Sequence, residues 1–396
     1  MSTVRLAVVM SHPIQHFVHL FRALASRPGL SLHVLFCSRI GLEPTFDAEM
    51  NRSIAWAGNL TGGFPHSFLP EAPSIRQAGF HAVDNPSVGA ALAAFRPDAV
   101  LVFGYAQRTA LRALHWCRRH QIPALMTGDG SPQTRRAPWR ASLRALLLRP
   151  LLARVSAFLT PGDGNERMLG ALGVPSARMF RTPFPIDETA FAHARASRGA
   201  HRAQLRKRLG LAPDTPIALF VGKLSPRKRP LDPVEAWRRL PPGLSLHILF
   251  CGEGTERGTL EALIRKTGAP ATLQGFVNLD ALPGLYAGSD MLVHPASFDP
   301  HPLAVSEAAA AGLPLLLSDR VGAIGPSDVA QPGRNALVHP CGDTNALAAN
   351  LTRLLGDPQL HARLARASLE IAAECGMAQS VAGVERALDA VLGERT

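Results

Sequence analysis

The sequence predicts an α/β protein of two doubly wound domains facing a central crevice, and three observations predict it. Short β-branched or Leu-rich runs alternate with helical patterns from one end of the chain to the other, as in βαβ units on a parallel sheet. The alternation breaks once, at Thr182-Pro183-Phe184-Pro185-Ile186-Asp187, where two prolines forbid regular helix in themselves and disfavour it in their predecessors. A length of 396 residues suits two or three domains, with two favoured. The expected division is 1–185, 186–375 and a helical end at 376–396.

In the first half, apolar runs place strands at Val4–Met10, Ser31–Phe36, Ala99–Phe103, Pro123–Thr127 and Ala157–Thr160. Between them, helical spacing places helices at Phe17–Ser26, Pro86–Phe95, Ala110–Arg119 and Arg140–Leu148, with Asn85 as a cap and Pro86 at the first helical position. The stretch Cys37–Gly79 is rich in Gly, Pro and polar residues and shows no readable period. After the prolines an Arg- and Ala-rich stretch runs to Leu209. Strands are then expected at Ile217–Val221, Ser245–Phe250, Thr272–Gly275, Met291–His294, Leu315–Ser318 and Ala336–His339. Helices are expected at Leu231–Leu240, Thr255–Thr267, Leu303–Ala311 and Thr344–Leu355, and His361–Leu392 is helical throughout.

Composition narrows the class. Apolar residues make up 46% and charged residues 18%, which is enough for buried cores and excludes disorder as the main state. No apolar run is long enough to span a bilayer, and the N-terminal run reads as a first strand rather than a leader. Five scattered cysteines, never in a Cys-x-x-Cys pair, fit a reducing cytoplasm and argue against a disulfide scaffold or a zinc site. A net charge of +12 favours anionic partners, among which charge alone does not choose. Aromatic residues at 6% and the absence of a nucleic-acid module speak against nucleic acid.

The informative stretch is Phe220-Val221-Gly222-Lys223-Leu224-Ser225-Pro226-Arg227-Lys228. A strand ends at Gly222, and two lysines five residues apart fall in the loop that an open α/β sheet turns toward its ligand crevice. Two ammonium groups there suit a diphosphate and the charge it gains on leaving. The loop is not a Walker A motif, because Leu follows Lys223 where Ser or Thr is needed. A second stretch runs from His294-Pro295 through Asp299 to a helix starting near Leu303, with Glu307 one turn inside it. Amides at a helix start take phosphate oxygens, and a carboxylate can accept from both hydroxyls of a ribose. Each feature has a plainer account taken singly: a solvated basic loop, a turn former at Asp299, a carboxylate complementing a helix dipole at Glu307. Their joint arrangement is what points to a site.

That arrangement resembles the retaining glycosyltransferases of family 4, which have the GT-B fold. Lys223 stands at the family's usual Arg position, Lys228 at its Lys position, and Asp299-x7-Glu307 at its Glu-x7-Glu position. Cys251-Gly252-Glu253-Gly254, Gln274-Gly275-Phe276-Val277, Gly333-Arg334-Asn335-Ala336-Leu337-Val338 and Cys341-Gly342-Asp343 extend the likeness, in order, over about 200–370. The resemblance implies that Gly222, Lys223 and Lys228 meet the donor diphosphate, Glu307 the nucleotide ribose, and Asp299 the donor sugar near its anomeric centre. It also implies that Phe276 and Val277 lie on the base-contacting loop, that Leu303 and Ala304 offer amides to phosphate, and that the C-terminal helices cross back to brace the first domain. Asp299 in place of Glu shortens that arm by one methylene.

The first half departs more. Where the family often has a Gly-Gly loop, this chain reads Ser11-His12-Pro13-Ile14-Gln15-His16, and where it has Thr-x-His-Gly this chain reads Thr127-Gly128-Asp129-Gly130. By the resemblance His12, His16 and Asp129 fall on the acceptor side. His12 and His16 are four apart, but Pro13 intervenes and no His-Glu-x-x-His motif is present, so zinc is not expected; ordinary loop histidines remain the alternative. No Asp-x-Asp occurs, which fits leaving-group stabilisation by lysines rather than by a divalent ion. Residues 135–154 hold six Arg, Trp139 and no acid, and admit two readings: an interfacial helix on anionic lipid, or a core-facing helix with a basic outer face that stops at Pro150.

The expected activity is transfer of a sugar from a nucleoside diphosphate sugar to a glycan or lipid-linked acceptor hydroxyl, with retention and no cofactor or metal. It is expected in the cytoplasm, at the inner face of the membrane if 135–154 touches lipid, and in surface polysaccharide or glycolipid synthesis. A nucleotide-sugar isomerase of similar fold and a non-catalytic nucleotide-sugar-binding module are the alternatives.

Overall fold

The computed structural model describes residues 3–42, 44–47, 49 and 50, 52–54, 58–130 and 138–393. The first sheet carries β1 (Val4–Met10), β2 (Leu30–Phe36), β5 (His66–Phe68), β6 (Ala99–Phe103), β7 (Ala124–Thr127), β8 (Ala157–Thr160) and β9 (Met179–Arg181). A separate antiparallel hairpin is formed by β3 (Thr45–Asp47) and β4 (Arg52–Ile54). The second sheet carries β10 (Ile217–Val221), β11 (His247–Cys251), β12 (Ala271–Gly275), β13 (Met291–His294), β14 (Leu315–Ser318) and β15 (Ala336–His339). The helices are α1 (Gln15–Ala25), α2 (Val88–Phe95), α3 (Arg108–His120), α4 (Pro138–Leu152), α5 (Asp163–Ala171), α6 (Glu188–Ala196), α7 (Arg198–Leu209), α8 (Asp232–Trp237), α9 (Arg257–Thr267), α10 (Leu282–Gly288), α11 (Leu303–Ala310), α12 (Thr344–Gly356), α13 (Pro358–Glu374) and α14 (Met377–Leu392).

Both sheets are parallel and doubly wound. The first runs β5-β2-β1-β6-β7-β8-β9 and the second β12-β11-β10-β13-β14-β15. Strand order therefore reverses between β1 and β6 in one sheet and between β10 and β13 in the other. At such a switch point the connections leave in opposite directions and open a crevice at the carboxyl ends of the strands. The central strands β1 and β10 are apolar apart from Arg5 at the start of β1, as two helical layers require: Leu6, Ala7 and Val8 of β1 and Ile217, Leu219 and Phe220 of β10 are fully buried.

The last helix returns to the first sheet. Val381, Val384, Ala387 and Leu388 of α14 join the core formed by β1, β2 and α1, and the Ser380 hydroxyl donates to the Pro183 carbonyl at 2.7 Å. Gly383 lets α14 approach β9 closely, because a Cβ there would lie 2.1 Å from the Arg181 carbonyl oxygen. Arg27 of the first domain and Glu385 of α14 add an exposed ion pair.

Three expectations need correction, on the start of α2, the role of Asn85 and the stop at Pro150, and two stretches without an expected element contain some. Helix α2 begins at Val88, with Ser87 before it, not at Pro86. Asn85 is fully buried and is bonded to the Cys37 carbonyl, Glu71 and Thr109, so its side chain fixes the preceding loop instead of capping the helix. Helix α4 runs through Pro150 to Leu152. The carbonyl that Pro150 leaves unbonded belongs to Leu146, an exposed residue whose backbone water can reach, which lowers the cost of the proline. Finally, the Arg- and Ala-rich stretch before Leu209 forms the two helices α6 and α7, and the period-free stretch after Cys37 contains the hairpin and β5.

Candidate active site

The loops after β10 and β13 flank the second switch point, and they carry the residues singled out above. Gly222 has φ +150°, a conformation that a side chain would strain. The neighbouring strand also crowds it: a Cβ at Gly252 would lie 1.9 Å from the Gly222 carbonyl oxygen, so the loops after β10 and β11 pack backbone to backbone. Beyond Leu224, Pro226–Lys228 form a single 3₁₀ turn that sets Lys228 on the side of the β13 loop. The two loops are stitched together, with the Ser297 amide and hydroxyl donating to the Arg227 carbonyl at 2.8 and 3.0 Å and the Arg227 guanidinium donating to the Phe298 carbonyl at 3.1 Å.

Lys228 and Asp299 meet. Their ion pair lies on Asp299 Oδ2, the same oxygen that His294 Nε2 approaches at 2.8 Å. Asp299 is buried, which works against its charge, but His294 and Lys228 together outweigh burial and hold the carboxyl far below the usual carboxylate range. The short β-bridge between Asp299 and Val321, and the 2.7 Å bond from the Gly322 amide to the Asp299 carbonyl, fix the backbone of this loop.

Lys223 faces the other way. Its ammonium lies 2.8 Å from Asp47 and 2.9 Å from Glu49, both in the first domain, so the contact spans the crevice. Partial burial opposes its charge, but the two carboxylates outweigh that effect and raise its pKa. Of the two lysines expected to share a diphosphate, one is therefore held by its own domain and one by the domain opposite.

Glu307 lies on the second turn of α11 and accepts a 2.7 Å hydrogen bond from the hydroxyl of buried Tyr286. Burial pushes its carboxyl up to about 7, with the Tyr286 bond acting in the opposite direction. Glu307 and Leu303 form one wall of a cleft of about 440 Å³ whose opposite wall is His16, His19 and Arg22 of α1. Lys223, Lys228 and Asp299 do not line this cleft. Ala304 is buried in the first turn of α11. Val277 packs partly against the core of the second domain and borders a separate hollow with Gln274 and Arg208, while Phe276 is half-buried beside it.

On the first-domain side, His12 Nδ1 lies 2.9 Å from the Ser11 hydroxyl, and burial lowers its pKa to about 4. His16 is lowered to about 3 by burial and by the neighbouring histidines 301, 19 and 12, and its Nε2 has no partner. Both are neutral at neutral pH. Asp129 is exposed just past β7, and the adjacent Gly130 carbonyl accepts from Asn165 at 2.7 Å. Sequence reasoning missed Tyr286, Asp47, Glu49 and the role of His294. Asp47 and Glu49 lie in the stretch without a period, and only the fold brings them to Lys223.

Two parallel doubly wound sheets with their switch points turned toward a common crevice, and a C-terminal helix that crosses back, define the GT-B class of glycosyltransferase fold. Comparison with known proteins agrees. Residues 201–370 match the family model for glycosyl transferases group 1. The chain is 29% identical over 290 residues to a GDP-mannose-dependent alpha-mannosyltransferase of Mycobacterium tuberculosis, covering 70% of each. It is 29% identical over 221 residues to the alpha-D-kanosaminyltransferase of Streptomyces kanamyceticus, covering 55% of each. In fold it is similar to the HepE protein of Anabaena in complex with UDP, with a TM-score of 0.72 and 15% identity over 98% of this chain and 100% of that one. Residues 201–370 thus form a glycosyl transferases group 1 domain on a GT-B fold, and these likenesses support a glycosyltransferase activity.

Proposed function

We propose that the enzyme transfers a sugar from a nucleoside diphosphate sugar to an acceptor hydroxyl with retention of configuration and without a metal ion. The observation that carries this reading is the Lys228–Asp299 pair at the switch point of the second sheet, on a loop that runs into the start of α11 and Glu307. Lys228 stabilises the diphosphate as the bond to the anomeric carbon breaks. Lys223 joins it when the first-domain carboxylates release it. Leu303 and Ala304 present helix-start amides to phosphate, and Glu307 takes the ribose hydroxyls. Asp299 keeps Oδ2 on His294 as Lys228 turns to the diphosphate, and offers Oδ1 to a hydroxyl of the donor sugar. Gly222 lets the backbone approach the phosphates, and Phe276 and Val277 border the base. His12, His16 and Asp129 lie on the acceptor side, where neutral His16 can accept from a hydroxyl.

The relatives transfer different sugars, so the donor follows from a screen of UDP-, GDP- and ADP-sugars by thermal shift, in which the true donor raises the melting temperature by mass action. With that donor, Lys228→Ala is expected to lower kcat by about 10²–10³, the loss typical of one electrostatic stabiliser. Turnover within about twofold of wild type removes Lys228 from the reaction. Anomer analysis of the product tests retention, and full activity in a chelator tests metal independence.

The acceptor is a glycan or a lipid-linked saccharide. Among the described residues no helix is long and apolar enough to cross a membrane, so a lipid-linked acceptor is met at the bilayer surface. Helix α4 suits that role. Ala145 and Leu148 pack on the core with Leu152, while Leu146 and Leu147 are 70% and 68% exposed next to exposed Arg149 and Arg154. Arg135 and Arg136 lie outside the described residues. Cosedimentation with phosphatidylglycerol vesicles, and its loss in the Leu146→Asp, Leu147→Asp double variant, is the expected outcome; equal binding to phosphatidylcholine alone counts against an anionic surface. The free thiols, Cys37, Cys117 and Cys251 among them buried, support a cytoplasmic site of action.

A further inference from the structure

We propose that His294 is a positioning residue for Lys228, acting through Asp299. This rests on the reading of Lys228 as a ligand of the donor diphosphate and adds how that lysine is held and released.

The three groups come from different elements and close on one oxygen. His294 is the last residue of β13, Asp299 lies five residues on in the following loop, and Lys228 ends the 3₁₀ turn after the neighbouring strand β10. Asp299 Oδ2 receives both the Lys228 ammonium and, at 2.8 Å, the Nε2 of His294. All three side chains are buried, with 12%, 8% and 1% exposure for Lys228, Asp299 and His294. An ionised carboxylate only accepts, so His294 must carry its proton on Nε2. The other ring nitrogen is then a lone pair, and His294 Nδ1 is indeed buried without a partner. An unpaired buried lone pair is tolerated far better than an unpaired buried N–H. The tautomer is therefore fixed by the site. Burial and the Lys228 charge keep the ring neutral, so it adds a hydrogen bond and no charge.

Doubling the donors on Oδ2 has a use. To reach a diphosphate, the Lys228 ammonium must leave the buried Asp299 carboxylate. A carboxylate stripped of its sole partner in such a site is an uncompensated charge, and that cost opposes the move. With His294 in place, Asp299 stays hydrogen-bonded and stays where it is while Lys228 turns to the phosphate.

Calorimetric titration separates this role from mere packing. The probes are UDP and GDP, of which the one that binds the wild-type enzyme more tightly is carried forward, together with its monophosphate. His294→Phe, which keeps the ring and loses the donor, is expected to weaken the diphosphate by about tenfold or more and the monophosphate by less than about threefold. His294→Gln, whose amide N–H can reach the same oxygen, is expected to remain within about threefold of wild type for both. In a Lys228→Ala background, His294→Phe is expected to change diphosphate affinity by less than about twofold, because the residue acts through Lys228. If Lys228→Ala alone leaves diphosphate affinity unchanged, the reading of Lys228 as a phosphate ligand fails. If Lys228→Ala weakens binding but His294→Phe does not, or the two effects add, the positioning role fails and that reading stands. Should His294→Phe not fold, the tautomer in the wild-type enzyme decides: histidine side-chain NMR is expected to show the Nε2–H form for His294, and an Nδ1–H form overturns the proposal.

Discussion

Glu307, proposed above to take the donor ribose, shows at the residue scale how the burial of one carboxyl ties stability to pH. Its folded pKa of about 7 lies above the ordinary value of 4.5. Between those values the folded chain holds a proton that the unfolded chain has already lost, so stability falls as pH rises through this window. Glu307→Gln keeps an acceptor for Tyr286 and removes the titration. Its unfolding free energy is expected to gain on wild type from pH 5 to pH 8, by on the order of 1–3 kcal/mol, when no nucleotide is present. Donor affinity should move the opposite way in the wild-type enzyme. Two ribose hydroxyls need an ionised carboxylate, so calorimetry is expected to show weaker donor binding at pH 6 than at pH 8, and no such slope in the variant. A flat wild-type profile removes Glu307 from the ribose. The candidate residues were legible as a group: Lys223, Lys228, Asp299 and Glu307 stand out in the sequence because a strand end, a fixed spacing and a helix start leave them few places to go. Their partners were not. Asp47 lies 176 residues from the lysine it binds, and no local rule joins them.

At the scale of elements, periodicity located the central strands of both sheets because buried parallel strands must be apolar on both faces, but not the three-residue edge strands β5 and β9 of the first sheet. It failed where tertiary contacts decide. Helix α7 reads as a polar Arg- and Ala-rich stretch, yet Arg206 is its anchor. The guanidinium is almost fully buried, donating to Asp290 at 2.6 Å and to the Gly288 carbonyl at 2.9 Å, while the same Asp290 oxygen accepts from the Ile217 amide at 2.8 Å. A buried arginine is a poor sequence signal for packing, because the same residue on most helices is solvated. Arg206→Ala removes one of the two arginine partners of Asp290, leaves Arg202 and the Ile217 amide on it and the Gly288 carbonyl without its donor, and is expected to cost about 1–3 kcal/mol, read as a lower denaturation midpoint at unchanged slope. The start of α2 shows the same limit. Asn85 has the chemistry of a cap, but three partners claim its side chain first.

The whole molecule is held together by groups that each domain lends to the other. Asp328, from the second domain, accepts from the Asp163 amide at 2.7 Å and so caps α5 of the first. Asp163 in turn accepts from the Ser327 amide and hydroxyl at 2.9 and 2.6 Å, and Arg181 binds Asp163 at 2.5 Å and the Ser327 carbonyl at 2.9 Å. The backbones touch here as well, since a Cβ on Gly164 would lie 2.6 Å from the Gly322 carbonyl oxygen. Asp328→Ala is expected to cost about 1–2 kcal/mol and to raise the radius of gyration by small-angle scattering, as the domains lose a fixed pivot. An unchanged scattering profile shows that the remaining contacts suffice.

The crossing of α14 onto the first sheet has a consequence for anyone who would divide this protein. Cutting between the two units at 185 leaves the amino-terminal fragment with a bare apolar groove and gives the carboxy-terminal fragment an orphan helix to fill it. Expressed alone, each piece should aggregate; expressed together, they should find one another through that helix. A permuted chain that begins with 377–392 and continues into residue 3 would instead make the first unit self-sufficient.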